Sequence, residues 1–326
     1  MLNTNLTLVI PSLLPRLAHQ TDAKLPNLQK LLARAEVHAN PSQNLETLFF
    51  NFFSLPHTAE LPIAALTGLA DGLATDDGYW LRLDPIELRT SLAAVYLLGN
   101  EHLAVPPYLK NLLTQLQTLA AADDLEFFAP SAKRWYLKTQ HDPQIKTFPP
   151  DELIGKDISK YLPVGAKQTY WRKLLTEIQM LMLLQSQSPQ SYGQSGEMLN
   201  AVWLWGEGQL PARPTITPLW QYIWTDDVLV QGLAQFTQTP AANLPARLND
   251  CLKKMVSGSY LITLQPSLRL VDAALLEQNW FAPLVAALKT KQLTNLDLYV
   301  GDNNFYRITQ RTIHYFWRRH GKVLTK

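Results

Sequence analysis

Residues 200–211, Asn-Ala-Val-Trp-Leu-Trp-Gly-Glu-Gly-Gln-Leu-Pro, constrain the fold more than any other stretch of this chain. An apolar, aromatic run ends there in a Gly-x-Gly turn. In an extended chain Trp203 and Trp205 point to one side, and Val202 and Leu204 to the other. A strand that is apolar on both faces is buried on both, as in the central parallel sheet of an α/β protein. Such sheets take ligands at the carboxyl ends of their strands, which puts Gly206-Glu207-Gly208 at a candidate site. A core strand closed by a tight turn is the plainer reading of the same residues.

The rest of the chain alternates strand and helix patterns. Strands are expected at 6–10, 93–98, 202–205, 260–264 and 296–300, and these are the candidates for one sheet. Ile63–Leu66 reads as a further short strand leading to Gly68. Residues 126–129 and 134–138 read as a hairpin about Pro130-Ser131, and 296–300 with 305–308 as a terminal hairpin. Helices are expected from Pro26, with Leu28, Leu31, Leu32 and Ala35 on one face, over 45–53 and 108–121, over 167–184 with Leu174, Ile178, Leu181 and Met182 on one face, and over 244–256 and 273–289, the last with room for a break near Pro283. A final helix carries Ile313, Phe316 and Trp317. The alternation predicts an α/β fold with a mostly parallel central sheet flanked by helices. No repeat or linker cuts the chain, so residues 1–326 read as one α/β domain, with room for an insertion around 100–195.

Composition narrows the functions. Net charge is only +2 and the basic residues are scattered, apart from Arg318, Arg319 and Lys322. There is thus no electrostatic footprint for nucleic acid, and the terminal cluster reads as a solvated helix end. No window is apolar enough for a membrane span, and Leu6–Ile10 is too short for a signal peptide. The single cysteine, Cys251, excludes an internal disulfide and a multi-cysteine zinc site. Together these features point to the cytoplasm.

Metal chemistry finds few candidates. No pair among the seven histidines has the i, i+4 spacing of a helical metal site. Asp71, Asp76 and Asp77 form a carboxylate cluster that reads best as a solvated turn. Ser12, at the end of the first strand, reads as a helix N-cap or, less simply, a nucleophile. Cys251 sits in a helical apolar pattern and reads as a buried thiol. There is no nucleophile elbow, Walker loop or Gly-x-Gly-x-x-Gly. The arginines are better placed. Arg82 and Arg89 lie in Tyr79–Arg89 among aromatics and acids, and Arg134 lies in Lys133-Arg134-Trp135-Tyr136. A guanidinium fork suits a phosphate or carboxylate, and aromatic faces hold it in place. Ion pairing of Arg82 or Arg89 with Asp84 or Glu87 is the structural alternative.

Several segments together resemble the RpfE-type regulatory proteins, a phosphoglycerate mutase-like family. They are Tyr79-Trp80-Leu81-Arg82-x-Asp84-Pro85-x-x-Leu88-Arg89, Ala129-Pro130-Ser131-x-x-Arg134-Trp135-Tyr136-Leu137, Leu162-Pro163-x-Gly165, Glu177–Leu181, the Trp203-Leu204-Trp205-Gly206 segment, Trp280–Leu284 and Phe316–Arg319. The match runs from about residue 6 to about residue 320. Archaeal-type cofactor-independent phosphoglycerate mutases carry a similar Asn-x-x-Trp-Leu-Trp-Gly-x-Gly segment. The resemblance implies an alkaline-phosphatase-like α/β fold. Those mutases end their first strand in an Asp-Gly metal site, where this chain has Ile10-Pro11-Ser12. They bind two metal ions through Asp and His, and their substrate loop matches the shortened Ser188–Gly193 here. Two-metal phosphoryl transfer needs cations to hold the attacking and leaving oxygens.

The resulting expectation is a degenerate mutase-like protein with no cofactor. It binds a small anionic ligand or a partner protein, without nucleic acid or membrane. Arg82 and Arg134 would hold the anion, and Trp203, Trp205 and Glu207 would shape the pocket. An active metal-dependent mutase or phosphatase, with Ser12 and the Asp71–Asp77 region as its site, is the alternative.

Overall fold

The first strand forms where the apolar run Leu6–Ile10 predicts it, and its partners come from the far end of the chain. The computed structural model describes residues 3–18, 24–40, 42, 44–55, 61–92, 94–99, 108–186, 199–213, 218–265, 273–315 and 317–318. These fall into two compact units, Met1–Pro56 with Pro214–Lys326, and His57–Arg213.

The two-segment unit begins with β1 (Thr4–Val9), α1 (Leu13–Leu17), α2 (Pro26–Arg34), β2 (Glu36–Ala39) and α3 (Leu45–Phe52). The other unit follows with α4 (Ile63–Ala70), β3 (Tyr79–Thr90), β4 (Val95–Gly99), α5 (Leu109–Ala122), β5 (Glu126–Ser131), β6 (Arg134–Thr139), α6 (Gln168–Ser186) and β7 (Ala201–Gly208). The chain then returns to the first unit with β8 (Tyr222–Thr225), α7 (Val228–Phe236), β9 (Ala241–Ala242), α8 (Leu248–Leu252) and β10 (Gly258–Thr263). It ends with α9 (Ala273–Leu276), a π turn over Glu277–Phe281, α10 (Ala282–Lys289), β11 (Asn295–Tyr299) and β12 (Asn304–Thr309).

In the two-segment unit a seven-stranded sheet has the order β2-β12-β11-β1-β10-β8-β9. The run from β11 through β1, β10 and β8 to β9 is parallel, whereas β12 and β2 add antiparallel at one edge. One face of this sheet carries Leu6, Leu8, Tyr260, Ile262, Leu296 and Leu298. They pack with Leu28, Leu31 and Leu32 of α2 and with Leu284, Val285 and Leu288 of α10. That apolar burial is the main source of stability here. Pro26 opens α2 at its first turn, as expected, and the backbone N–H of Asn27 finds its acceptor in Glu277 at 2.6 Å.

The second unit holds a separate, all-antiparallel sheet, β4-β3-β6-β5 with β7 on the free side of β3. This corrects the expectation of one mostly parallel sheet. The strands expected at 202–205 and 93–98 correspond to β7 and β4 of this second sheet, and the first sheet is mixed. The Trp203 strand is buried on both faces, yet it runs antiparallel to its partner β3. Val202 and Leu204 pack with Leu81, Leu83, Trp135 and Leu137 under α5 and α6. The opposite face is covered by Ala64 and Ala65 of α4 against Trp80 and Tyr136. A helix on each side buries an antiparallel sheet as thoroughly as a parallel one.

Other expectations also change. Ile63–Leu66 is helical, the start of α4. Helix 244–256 shrinks to α8, and among the described residues the final helix is reduced to a 3₁₀ turn over Thr312–His314. The helix over 273–289 is carried through residue 283 by a π turn placed just before Pro283. The Ser188–Gly193 loop lies outside the described residues. No helix among the described residues is long and apolar enough to cross a membrane.

Candidate functional site

Arginine 82 is the centre of a buried polar cluster in the second unit. In cross-strand register Tyr136 of β6 and Trp205 of β7 flank it on either side. Its guanidinium lies 5.6 Å from the Tyr136 ring centroid and 5.0 Å from that of Trp205. Two residues along β3, and so on the same face, Asp84 takes up the guanidinium fork. Arg82 Nε donates to Oδ1 at 3.0 Å, and Nη2 donates to both carboxylate oxygens at 2.8 Å. Trp205 Nε1 donates to Asp84 Oδ2 at 2.8 Å. Arg82 is 6% exposed and Asp84 5%, so the pair is desolvated and depends on this close geometry. Burial pushes the Asp84 carboxyl upward, against the pull of Arg82 and the Trp205 N–H.

A second pair extends the cluster. Arg134 and Tyr136 alternate along β6, so both face the side that α4 covers. Arg134 donates from Nε and Nη2 to the two oxygens of Asp71, at 2.8 and 2.5 Å, and the Tyr136 hydroxyl donates to Oδ2 at 2.7 Å. Asp71 sits at the carboxyl end of α4. Burial raises its pKa, but the bonds from Arg134 and Tyr136 more than offset this and hold the carboxyl below its ordinary range. The bond to Asp71 holds the Arg134 guanidinium above its ordinary value, while burial drives the Tyr136 phenol up. The result is a neutral quartet of two arginines and two aspartates laced through two aromatic rings.

Trp203 and Glu207 do a different job. The Trp203 indole donates to the carbonyl of Phe148 at 2.8 Å. Glu207 is 4% exposed and accepts from the backbone and hydroxyl of Thr147, while Gly206 N donates to Thr147 Oγ1 at 3.1 Å. Both residues therefore fasten the 147–148 loop to β7. Gly206 (φ +67°) sits at the strand bulge, where a Cβ would press on Ile63 at 3.1 Å.

Of the five residues expected at the site, Arg82, Arg134 and Trp205 share one network, and Trp203 and Glu207 share one loop. Their partners Asp71, Tyr136 and Thr147 were not assigned to that site from sequence. The Arg82-x-Asp84 and Arg134-x-Tyr136 alternations are the signal that places such groups on one face. Within the set, Arg134 keeps a way to solvent: one third of its side chain is exposed.

The carboxylates do not assemble as metal ligands. Asp71 is bound as above, Asp76 pairs with Arg213 at 3.6 Å, and Asp77 pairs with Lys138 at 3.1 Å. Among the described residues no three His, Cys, Asp or Glu side chains come together in a way that would hold a metal ion. The end of β1, where the mutases place their Asp-Gly, carries Ser12 in a left-handed conformation (φ 57°), and its side chain makes no capping bond. Ser12 thus holds the N-cap position without the expected cap. Among the described residues, these groups do not supply the ligand set of a two-metal centre.

Comparison with known proteins bears on the fold alone. The chain is similar to the PH0037 protein from Pyrococcus horikoshii, with TM-score 0.53 and 12% sequence identity over 95% of this chain and 88% of that one. A weaker likeness, with TM-score 0.45 and 13% identity over 95% and 90% of the two chains, is to the cofactor-independent phosphoglycerate mutase from Thermoplasma acidophilum DSM 1728. No protein-family model matches the chain, and no curated protein matches it, so the RpfE-type resemblance rests on the segments quoted above. What the comparisons show is an α/β fold shared with PH0037.

Proposed function

We propose that this chain is a phosphoglycerate mutase-like protein without the two-metal chemistry, working in the cytoplasm as a binding protein for a small, phosphorylated anion. The observation that carries the reading is the end of β1. A hydroxyl in a left-handed turn stands where the resembled mutases have a carboxylate, and Asp71, Asp76 and Asp77 are each committed to a basic partner. Arg134 is the anion contact, because a third of its side chain reaches solvent and Asp71 fixes the plane of the guanidinium. Arg82 and Trp205 position that network from beneath, and Trp203 and Glu207 hold the neighbouring loop.

The test is elemental analysis of protein purified with manganese and zinc present, together with a phosphoglycerate mutase assay. The expected result is metal well below one ion per chain and no turnover. Stoichiometric metal with turnover would overturn the reading and return Ser12 to candidacy as a nucleophile. Titration with 3-phosphoglycerate, followed by tryptophan emission, should show binding that Arg134→Ala weakens. Equal affinity in the variant would remove Arg134 from the site.

A further inference from the structure

Three mutually packed pieces of the two-segment unit carry cations without any carboxylate: residues 26–35 of α2 and its end, 282–292 of α10 and its end, and 310–318 after β12. Lys30, Arg34, Lys289, Lys291, Arg311 and Arg318 lie on them. Arg34 Nη1 donates to the carbonyl of Ile313, and Arg318 Nη1 to that of Ala35 at 3.3 Å. Gln310 Nε2 donates to the carbonyls of Lys291 and Leu293, at 3.4 and 3.0 Å. These bonds tie the three pieces together and crowd their charges. Burial, then Lys289 and then Arg34, hold the Lys30 ammonium below its ordinary value. Helix dipoles account for Arg34 and Lys289, which occupy the last turns of α2 and α10. They do not account for Lys30, Lys291, Arg311 or Arg318.

An aromatic anchor stands in the same place. Trp317 is 62% exposed and stacks on Tyr315 at 4.8 Å, while the Arg318 guanidinium lies 5.2 Å from the Tyr315 ring centroid. Exposed tryptophan beside tyrosine and arginine is the composition of a protein-binding hot spot, and arginine forks match carboxylates in pairs. We propose that this face docks an acidic segment of a partner protein, with Trp317 as its apolar anchor and the six cations as its charged frame.

Two other polyanions suit it less well. Single-stranded nucleic acid is held by successive stacking rings along a basic track, whereas among the described residues these pieces present one strongly exposed ring, Trp317. An anionic membrane favours an amphipathic face with apolar side chains to insert, and the leucines of α2 and α10 are spent in the core. The inference goes beyond the binding-protein reading above, whose anion contact, Arg134, lies in the other unit.

The probe is a fluorescein-labelled peptide of Asp-Glu-Phe repeats, titrated with the full chain and read by anisotropy. Wild type should bind, and more weakly as salt rises, because exposed charges are screened over about 10 Å at 0.1 M. Lys289→Glu with Arg311→Glu, both at exposed positions, should weaken binding at least about tenfold, and Trp317→Ala should weaken it severalfold. Unchanged unfolding midpoints would confirm that the variants are folded. Wild type that does not bind, variants that bind as wild type does, or tighter binding to phosphatidylserine vesicles or a single-stranded oligonucleotide would each overturn the proposal. None of these outcomes touches the metal and mutase assays, so the two readings fail separately.

Discussion

Asp84 is the residue on which the buried cluster turns. Replacing it with alanine strands the Arg82 guanidinium in a desolvated site and takes the acceptor from the Trp205 N–H. Breaking one side of a buried pair costs about 3–5 kcal/mol. Asp84→Ala should therefore lower the urea midpoint by a corresponding amount, and Arg82→Met in the same chain should restore much of it. A single-variant loss under about 1 kcal/mol would mean that water reaches the pair. Asp71 makes the complementary prediction about pH. Its carboxyl is held below the ordinary value of about 3.9, so its contribution is present above that value and is lost as pH falls through the folded value. The stability gap between wild type and Asp71→Asn should therefore be full at pH 7 and shrink below about pH 4. A constant gap from pH 7 to pH 3 would show that the Asp71 charge is not what Arg134 and Tyr136 stabilise. Cys251, fully buried, has its thiol pushed up to about 12, by burial first and by Asp250 second. A thiol reagent at pH 8 should modify it only after denaturant is added.

Among the elements, the ones most legible in the sequence are those whose pattern is local. Leu28, Leu31 and Leu32 announced α2, and Leu174, Ile178 and Met182 announced α6, because one buried face writes a helical period. Ile63–Leu66 misled for the opposite reason: α4 is buried nearly all round, so its apolar run has no period to read. The Trp203 strand was legible as buried, but its direction depends on a partner more than a hundred residues away. Arg82 and Arg134 stood out by type and by aromatic company. Asp71 did not stand out as their partner, because that contact exists only once α4 lies on β6. One element-scale test separates strain from space. Gly72 (φ +84°) and Gly301 (φ +83°) share a left-handed backbone, yet a Cβ at Gly72 meets nothing, while at Gly301 it runs into the backbone of Ser12. Gly72→Ala should cost about 1–2 kcal/mol, the left-handed penalty alone, and Gly301→Ala clearly more. Equal costs in denaturant melts would mean that the turn after β11 yields freely.

At the scale of the molecule, the unit His57–Arg213 is continuous in sequence and has its own apolar clusters, whereas the other unit is assembled from two segments. A fragment 57–213 should fold alone, with cooperative melting and buried tryptophan emission, and a fragment 1–56 should not. Noncooperative melting of 57–213 would show that its cores need the rest of the chain. The pairing of Thr4 with Gly258 and of Asn5 with Asn295 carries this further. On a ribosome, β1 emerges some 250 residues before either of its neighbours exists. At ordinary synthesis rates that is a wait of roughly 10 to 50 s. Throughout it, Leu6, Leu8 and Ile10 have no sheet to join while the intervening unit is free to fold. The nascent chain thus carries an orphaned, adhesive strand that a chaperone must shelter or that delays release, and expression yield should respond to polar substitutions in β1 before equilibrium stability is ever at issue.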